Sequence, residues 1–166
     1  MQSTRRKTRT GVGYPRILWP TDFSRLASAA LPHATRLAGT GRAELVILHV
    51  LSPPTIMPVP DLSGAVWTQV LESNRTAAQA KLKRLTDHVK ATLPRTRVES
   101  VLAEGDPATE ILRVAKRRRC DLILIATHGR SGLRHLLMGS VAERVVRTAS
   151  CPVLTVRHPA MRVKRT

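Results

Sequence analysis

Short apolar runs alternate along the chain with longer stretches whose apolar residues recur at helical spacing. Ile17–Leu18–Trp19 is the first run, and Pro20 closes it. Leu26, Ala29, Ala30, His33 and Leu37 then mark one face of a helix that Gly39 and Gly41 end. Leu45 to Val50 reads as a strand covered on both faces. Ala78, Leu82, Leu85 and Val89 predict a second helix, stopped by Pro94, and Val98 to Ala103 a strand whose Glu99 and Ser100 suit a sheet edge. Asp106–Pro107 supplies a cap residue and a first-turn proline for a third helix with Ile111, Leu112 and Ala115 on its apolar side. Arg117, Arg118 and Arg119 fall at its C-terminus, where the helix dipole favours cations. Leu122 to Ala126 is another apolar strand, 127–139 a loop, and Val141, Ala142, Val145, Val146 and Ala149 the apolar side of a fourth helix. Pro152 to Val156 is the last strand. The order β-α-β-α-β-α-β-α-β predicts an α/β domain with a parallel sheet and helices on both faces.

The 166 residues suffice for one domain with a real core, and residues 14–158 are assigned to it. Residues 1–13 and 159–166 read as basic tails. The segment 52–65, with Pro53, Pro54, Pro58 and Pro60, is either a lid or partner contact or a plain long connection. No run approaches the roughly 20 apolar residues that cross a membrane, and none resembles a secretory leader, so the cytoplasm is the expected compartment. Cys120 and Cys151 each precede a strand and read as small buried thiols rather than a disulfide or reactive pair. The formal charge of +17 is large; eight of those charges lie in residues 1–16 and 158–166, which leaves +9 on the rest. Such a field draws polyanions without naming one.

Ligands of open α/β sheets bind at the carboxyl ends of strands where the strand order reverses. Two strand ends here are rich in polar residues: Pro20–Thr21–Asp22–Phe23–Ser24, and Ala126–Thr127–His128–Gly129–Arg130–Ser131–Gly132. If those strands are neighbours, both segments line one crevice. Gly139–Ser140 opens the fourth helix, whose free N–H groups and dipole suit a phosphate, and Arg130, Arg134 and His135 add positive charge. Ser140 and Glu143 also match a plain capping box, and the two readings are compatible. Neither the Walker nor the dinucleotide glycine signature is present. His128 and His135 lack further ligands at metal spacing, Asp22 alone suits a turn better than a catalyst, and no Ser–His–acid arrangement stands out.

Ile-Leu-Trp-Pro-Thr-Asp-Phe-Ser at 17–24, Val-Ile-Leu-His-Val at 46–50, Gly-Asp-Pro-Ala at 105–108, Ala-Thr-His-Gly-Arg-Ser-Gly-Leu at 126–133, Gly-Ser-Val-Ala-Glu-Arg-Val-Val at 139–146 and Cys-Pro-Val-Leu at 151–154 together resemble the universal stress protein family, over roughly residues 15–157. The resemblance implies an open five-stranded parallel sheet in the order 3-2-1-4-5, of the adenine-nucleotide alpha-hydrolase type, and a homodimer through the last strand, Pro152 to Arg157. Nucleotide-binding members carry G-x2-G-x9-G-[ST] after the fourth strand. Gly129, Gly139 and Ser140 match it, and Ala126 replaces the first glycine. The resemblance places Pro20, Thr21, Asp22 and Val50 at the adenine, Ala126 and Gly129 along sugar and phosphates, and Gly139, Ser140 and Val141 at the phosphates; Arg130 joins the candidate binding residues for its charge.

The leading expectation is a stress or signalling module that binds ATP, with or without Mg2+, and is no enzyme beyond slow hydrolysis, since no clear base or water-positioning residue is found. The alternatives are a dimeric interaction protein of the same family that binds no nucleotide, which Ala126 favours, and a nucleic-acid binder held by charge alone. Aromatic residues at 2% argue against base stacking in that last case.

Overall fold

A computed structural model describes residues 13–39, 43–52, 64–127 and 138–157. Five strands form one parallel sheet: β1 (Arg16–Pro20), β2 (Glu44–Leu51), β3 (Arg97–Glu104), β4 (Leu122–Ala126) and β5 (Val153–Val156). Their order is β3-β2-β1-β4-β5, as the resemblance implies. β1 is central, with Ile17 and Leu18 opposite Leu45 and Val46 on one side and Leu122 and Ile123 on the other.

Both faces of the sheet are covered, which is why the strands read as unbroken apolar runs. Ile17, Trp19, Leu45, Ile47, Leu122 and Leu124 point into one core, beneath α2 (Leu31–Gly39) and α3 (Gly64–Thr92). Leu18, Val46, Leu48, Ile123 and Ile125 point into the other, beneath α4 (Pro107–Arg117) and α5 (Ser140–Thr148). Side chains alternate between the faces of a strand, so each run feeds both cores.

The sequence predicts one helix after the first strand, and the structure has two. A short α1 (Arg25–Ser28) precedes α2. Pro32 lacks the N–H that a continuous helix would give to the carbonyl of Ser28, so the helix restarts with proline in its first turn. The restart shifts the inner face to Ala30, Ala34 and Ala38 and leaves His33 exposed. On α3 and α4 the periodicity holds. Ala78, Leu82 and Val89 are buried on α3, and Asp106 caps α4, accepting from the Thr109 N–H at 3.0 Å. On α5, Ala142 and Val145 are buried but Val146 is exposed.

The 29 residues of α3 make it about 43 Å long, whereas strands of 4–8 residues span about 13–26 Å. Its C-terminal half packs on the sheet and its N-terminal half projects past the carboxyl edge. No residue from Val66 to Ala77 is buried. Among the described residues, no helix is long and apolar enough to cross a membrane.

Both cysteines are free; Cys120 is buried and Cys151 only partly so. Burial, with a smaller effect from nearby Cys151, pushes the Cys120 thiol up from 9.0 to about 12. The folded state then holds this proton longer than the unfolded chain does. That contribution to stability is complete below about pH 8.5 and is lost as pH rises through the window from 9 to 12. Iodoacetamide at pH 8 should therefore label Cys120 slowly in native protein and fast in urea, read by mass spectrometry. Rapid native labelling would contradict the burial.

Candidate nucleotide site

The order reversal between β2-β1 and β4-β5 opens a cavity of about 1080 Å³ at the carboxyl edge of the sheet. α3 bounds it on one face. The N-terminal ends of α4 and α5 bound it on the other, through Pro107 and Gly139–Val141.

The turn after β1 is built from local hydrogen bonds. The Thr21 N–H donates to the Leu48 carbonyl at 2.8 Å, which continues the β1–β2 ladder past Pro20. Thr21 Oγ1 accepts from the Phe23 N–H at 3.1 Å, and Asp22 Oδ1 accepts from the Ser24 N–H at 2.9 Å. Ser24 Oγ accepts from the Ala27 N–H at 3.0 Å and so caps α1. Asp22 is thus a turn-forming residue, as its type suggests, and it also lines the cavity. Phe23 takes a left-handed φ of 62°, which a bulky residue adopts only when its surroundings hold it there.

His49 provides that hold. Its Nδ1 lies 2.7 Å from the Thr21 carbonyl. A carbonyl only accepts, so Nδ1 is the protonated donor. The imidazole also packs on the Phe23 ring, with centroids 4.1 Å apart. His49 is buried and lines the cavity between β1 and β2.

The start of α5 differs from the capping box. The cap of α5 is Gly139, in an extended conformation at φ −73° and ψ 154°, with no side-chain cap bond. Its N–H donates to the Thr127 carbonyl at 2.7 Å, which pins the helix start to the end of β4. Ser140 is therefore the first helical residue, one position inside the box, and it is exposed. Glu143 sits too far along the turn for the reciprocal bond. Among the described residues, no side-chain cap bond is made at the start of this helix.

Pro20, Thr21, Asp22, Val50, Ala126, Gly139, Ser140 and Val141 all line the one cavity. Gly129 and Arg130, with His128, Arg134 and His135, lie outside the described residues. The sequence reading missed Phe23 and His49, whose roles rest on contact across β1 and β2, and the α3 wall. Trp67, Leu71, Asn74, Arg75, Ala78 and Lys81 follow helical spacing, a pattern that would have found the wall. Among the described lining residues, Asp22, Glu72 and Glu104 face Arg75 and Lys81, and Arg75 pairs with Glu104 at 3.2 Å. Among the described residues the positive charge is therefore not gathered on these walls, and the start of α5 offers an anion its backbone N–H groups. No group of three or more His, Cys, Asp or Glu poised for a metal occurs among the described residues.

Residues 13–157 match the model of the universal stress protein family. The chain is similar to the universal stress protein MJ0531 of Methanocaldococcus jannaschii, 33% identical over 147 residues, which cover 88% of this chain and 84% of that one. Among solved structures, the universal stress protein UspA from Lactobacillus plantarum superimposes with a TM-score of 0.76 at 27% identity, covering 89% of this chain and all of that one. A universal stress protein in complex with cAMP shares the fold, with a TM-score of 0.65 at 23% identity over 87% of this chain and 98% of that one.

His49→Leu should leave the Thr21 carbonyl without this donor and release Phe23 from its partner. We expect a loss of about 1–3 kcal/mol in urea unfolding, the usual effect of stranding a buried acceptor. Unchanged stability would show that the turn holds itself.

Proposed function

We propose, since the chain belongs to the universal stress protein family, that it binds an adenine nucleotide, ATP in particular, in the carboxyl-edge cavity and acts as a stress-signalling module. The observation that carries this reading is that one cavity unites the Thr21–Asp22 turn, Val50 and the uncapped start of α5. The base would lie toward Asp22 and Val50. The phosphates would take the free N–H groups at Ser140 and Val141, where the helix dipole favours negative charge. Mg2+ would accompany the triphosphate. A protein of the same fold holds cAMP, so the fold can seat an adenine ring.

Binding rather than catalysis follows from how the polar groups are used. His49 Nδ1 is committed to Thr21 and Asp22 Oδ1 to Ser24. Both bonds build the turn rather than present a base to a phosphate, and we expect any hydrolysis to be slow. The output would be a change in what the protein contacts, in the cytoplasm. β5 is an edge strand with Leu154 exposed, and we assign a homodimer to that edge. Sedimentation at micromolar concentration should show a dimer that Leu154→Lys dissociates. A monomeric wild type would remove the assignment.

Protein purified without added nucleotide and then denatured should release an adenine nucleotide, identified by chromatography. Gly139→Asp puts a carboxylate where phosphate would sit, and ATP affinity should fall at least tenfold, about 1.4 kcal/mol. Asp22→Asn keeps the Oδ1 acceptor that the turn needs while removing the charge. If Asp22 reads the base, this variant binds ATP more weakly although it is more positive. If charge alone held ATP, affinity would rise or stay equal. A wild type that binds no adenine nucleotide would favour the reading of a dimeric interaction protein, for which Ala126 in the glycine motif is the supporting feature.

A further inference from the structure

The nucleotide reading leaves the surplus positive charge unexplained, and the fold gives part of that charge a place at the end of the sheet opposite the cavity. The strands open in register, with Arg16 beside Glu44 and Glu44 beside Arg97. Glu44 accepts from Arg16 Nε at 2.8 Å and lies 3.7 Å from Arg97 Nε. Glu99 pairs with Arg97 and, at 2.9 Å, with Arg118 at the end of α4. A further hydrogen bond joins the Arg16 guanidinium to the Arg118 carbonyl, and the Arg16 N–H donates to Asp121 at 2.9 Å. Two carboxylates thus link three guanidiniums in a row across β3, β2, β1 and the α4–β4 turn. The hydrogen bond from Arg97 holds the Glu99 carboxyl below its ordinary range.

Around that row the balance is positive. Residues 16, 44, 95–99 and 116–121 hold seven cations against three carboxylates. Arg95, Lys116, Arg117 and Arg119 are exposed, and none of them forms an ion pair among the described residues. The cations of the chain are also mostly of one kind, 22 arginines against 6 lysines. The planar guanidinium forks onto phosphate oxygens, where an ammonium acts as a point charge.

We propose that this amino-terminal edge of the sheet is a surface for the phosphate backbone of nucleic acid, bound without regard to base sequence. An acidic membrane fits less well, because stable attachment needs apolar side chains to insert. The large apolar side chains exposed among the described residues are elsewhere: Val66, Val70 and Leu71 on the α3 overhang, Leu154 on β5 and Val146 on α5. Base stacking is equally unsupported here. Tyr14, the aromatic residue closest in sequence to the row, packs against the core. Strands of 4–8 residues separate this edge from the cavity by about 13–26 Å, so the proposal stands independently of ATP binding.

The test uses the full chain with fluorescent 20-nucleotide single-stranded RNA, single-stranded DNA and duplex DNA of two unrelated sequences, from 50 to 200 mM KCl. One variant combines Arg95→Gln, Arg117→Gln and Arg119→Asn; asparagine suits the left-handed φ of 51° at that position. A control removes three charges elsewhere, by Arg25→Gln, Lys83→Gln and Arg84→Gln. Circular dichroism checks that both fold. Wild type should bind both sequences equally, and a preference for RNA or DNA would name the natural partner. The edge variant should lose at least tenfold at 50 mM salt, with the slope of log K against log salt shallower by two to three, about 0.7–0.9 per lost phosphate contact. The control should retain most of the affinity. Equal losses in the two variants, an edge variant that binds like wild type, or a wild type that binds anionic phosphatidylserine vesicles but none of the nucleic acids would each overturn the proposal.

Discussion

Ile17 and Leu18 stand opposite Leu45 and Val46 on one side and Leu122 and Ile123 on the other. The rest of the structure depends on β1 being paired along both edges in this way. The first two crossovers carry the chain outward to β2 and β3; the third returns it across β1 to start β4. The loops leaving β1 and β4 must then part company at the carboxyl edge, one to each face, and a crevice opens between them. Because β1 has no free edge and both its faces are buried, the crevice is rigid at its floor. Of the polar residues that follow Pro20 and Ala126, Thr21 and Thr127 are buried at the strand ends, and Asp22 lines the cavity.

The turn after β1 shows how that rigidity is spent on geometry. A left-handed Phe23 would not persist alone. Here the Thr21 and Asp22 side chains satisfy the backbone of the turn, and His49 reaches from β2 to fasten the Thr21 carbonyl. The strain is held by groups on two strands, and the Asp22 side chain is left at a defined height in the cavity. At the far side, the Gly139 to Thr127 hydrogen bond does the same for α5. It fixes the helix start against the end of β4, where Gly139 supplies no side-chain cap, and N–H groups left so can take an anion.

The two ends of the sheet carry different electrostatics for one reason. In a parallel α/β unit every helix runs antiparallel to the strands. Positive helix ends therefore collect at the carboxyl edge and negative ends at the amino edge. Cationic side chains favour the C-termini, as the Lys116–Arg119 run at the end of α4 illustrates. Backbone dipoles supply the anion-attracting field at the cavity, whose described walls carry more acids than bases, and guanidiniums supply it at the opposite edge.

Much of this was legible in the chain itself. Apolar runs of strand length, separated by stretches with helical period, dictate a parallel sheet covered on both faces, because only burial on both sides makes an unbroken apolar strand stable. The residues bound for the cavity were legible too, since glycine, threonine and aspartate directly after such strands serve no packing purpose. Periodicity alone could not place the helix break at Pro32, the exposure of Val146 or the position of Gly139 rather than Ser140 as the cap of α5. Each turns on a shift of one or two residues, and neighbouring backbone decides that shift, not local preference. His49 was hidden for a deeper reason. Within β2 it is one polar residue in an apolar run, and its meaning comes from a carbonyl 28 residues away that only strand pairing brings to 2.7 Å. Sequence determines which residues can be buried and which cannot. Contacts between segments distant in the chain exist only once the sheet has closed, and they decide which of the polar residues touch.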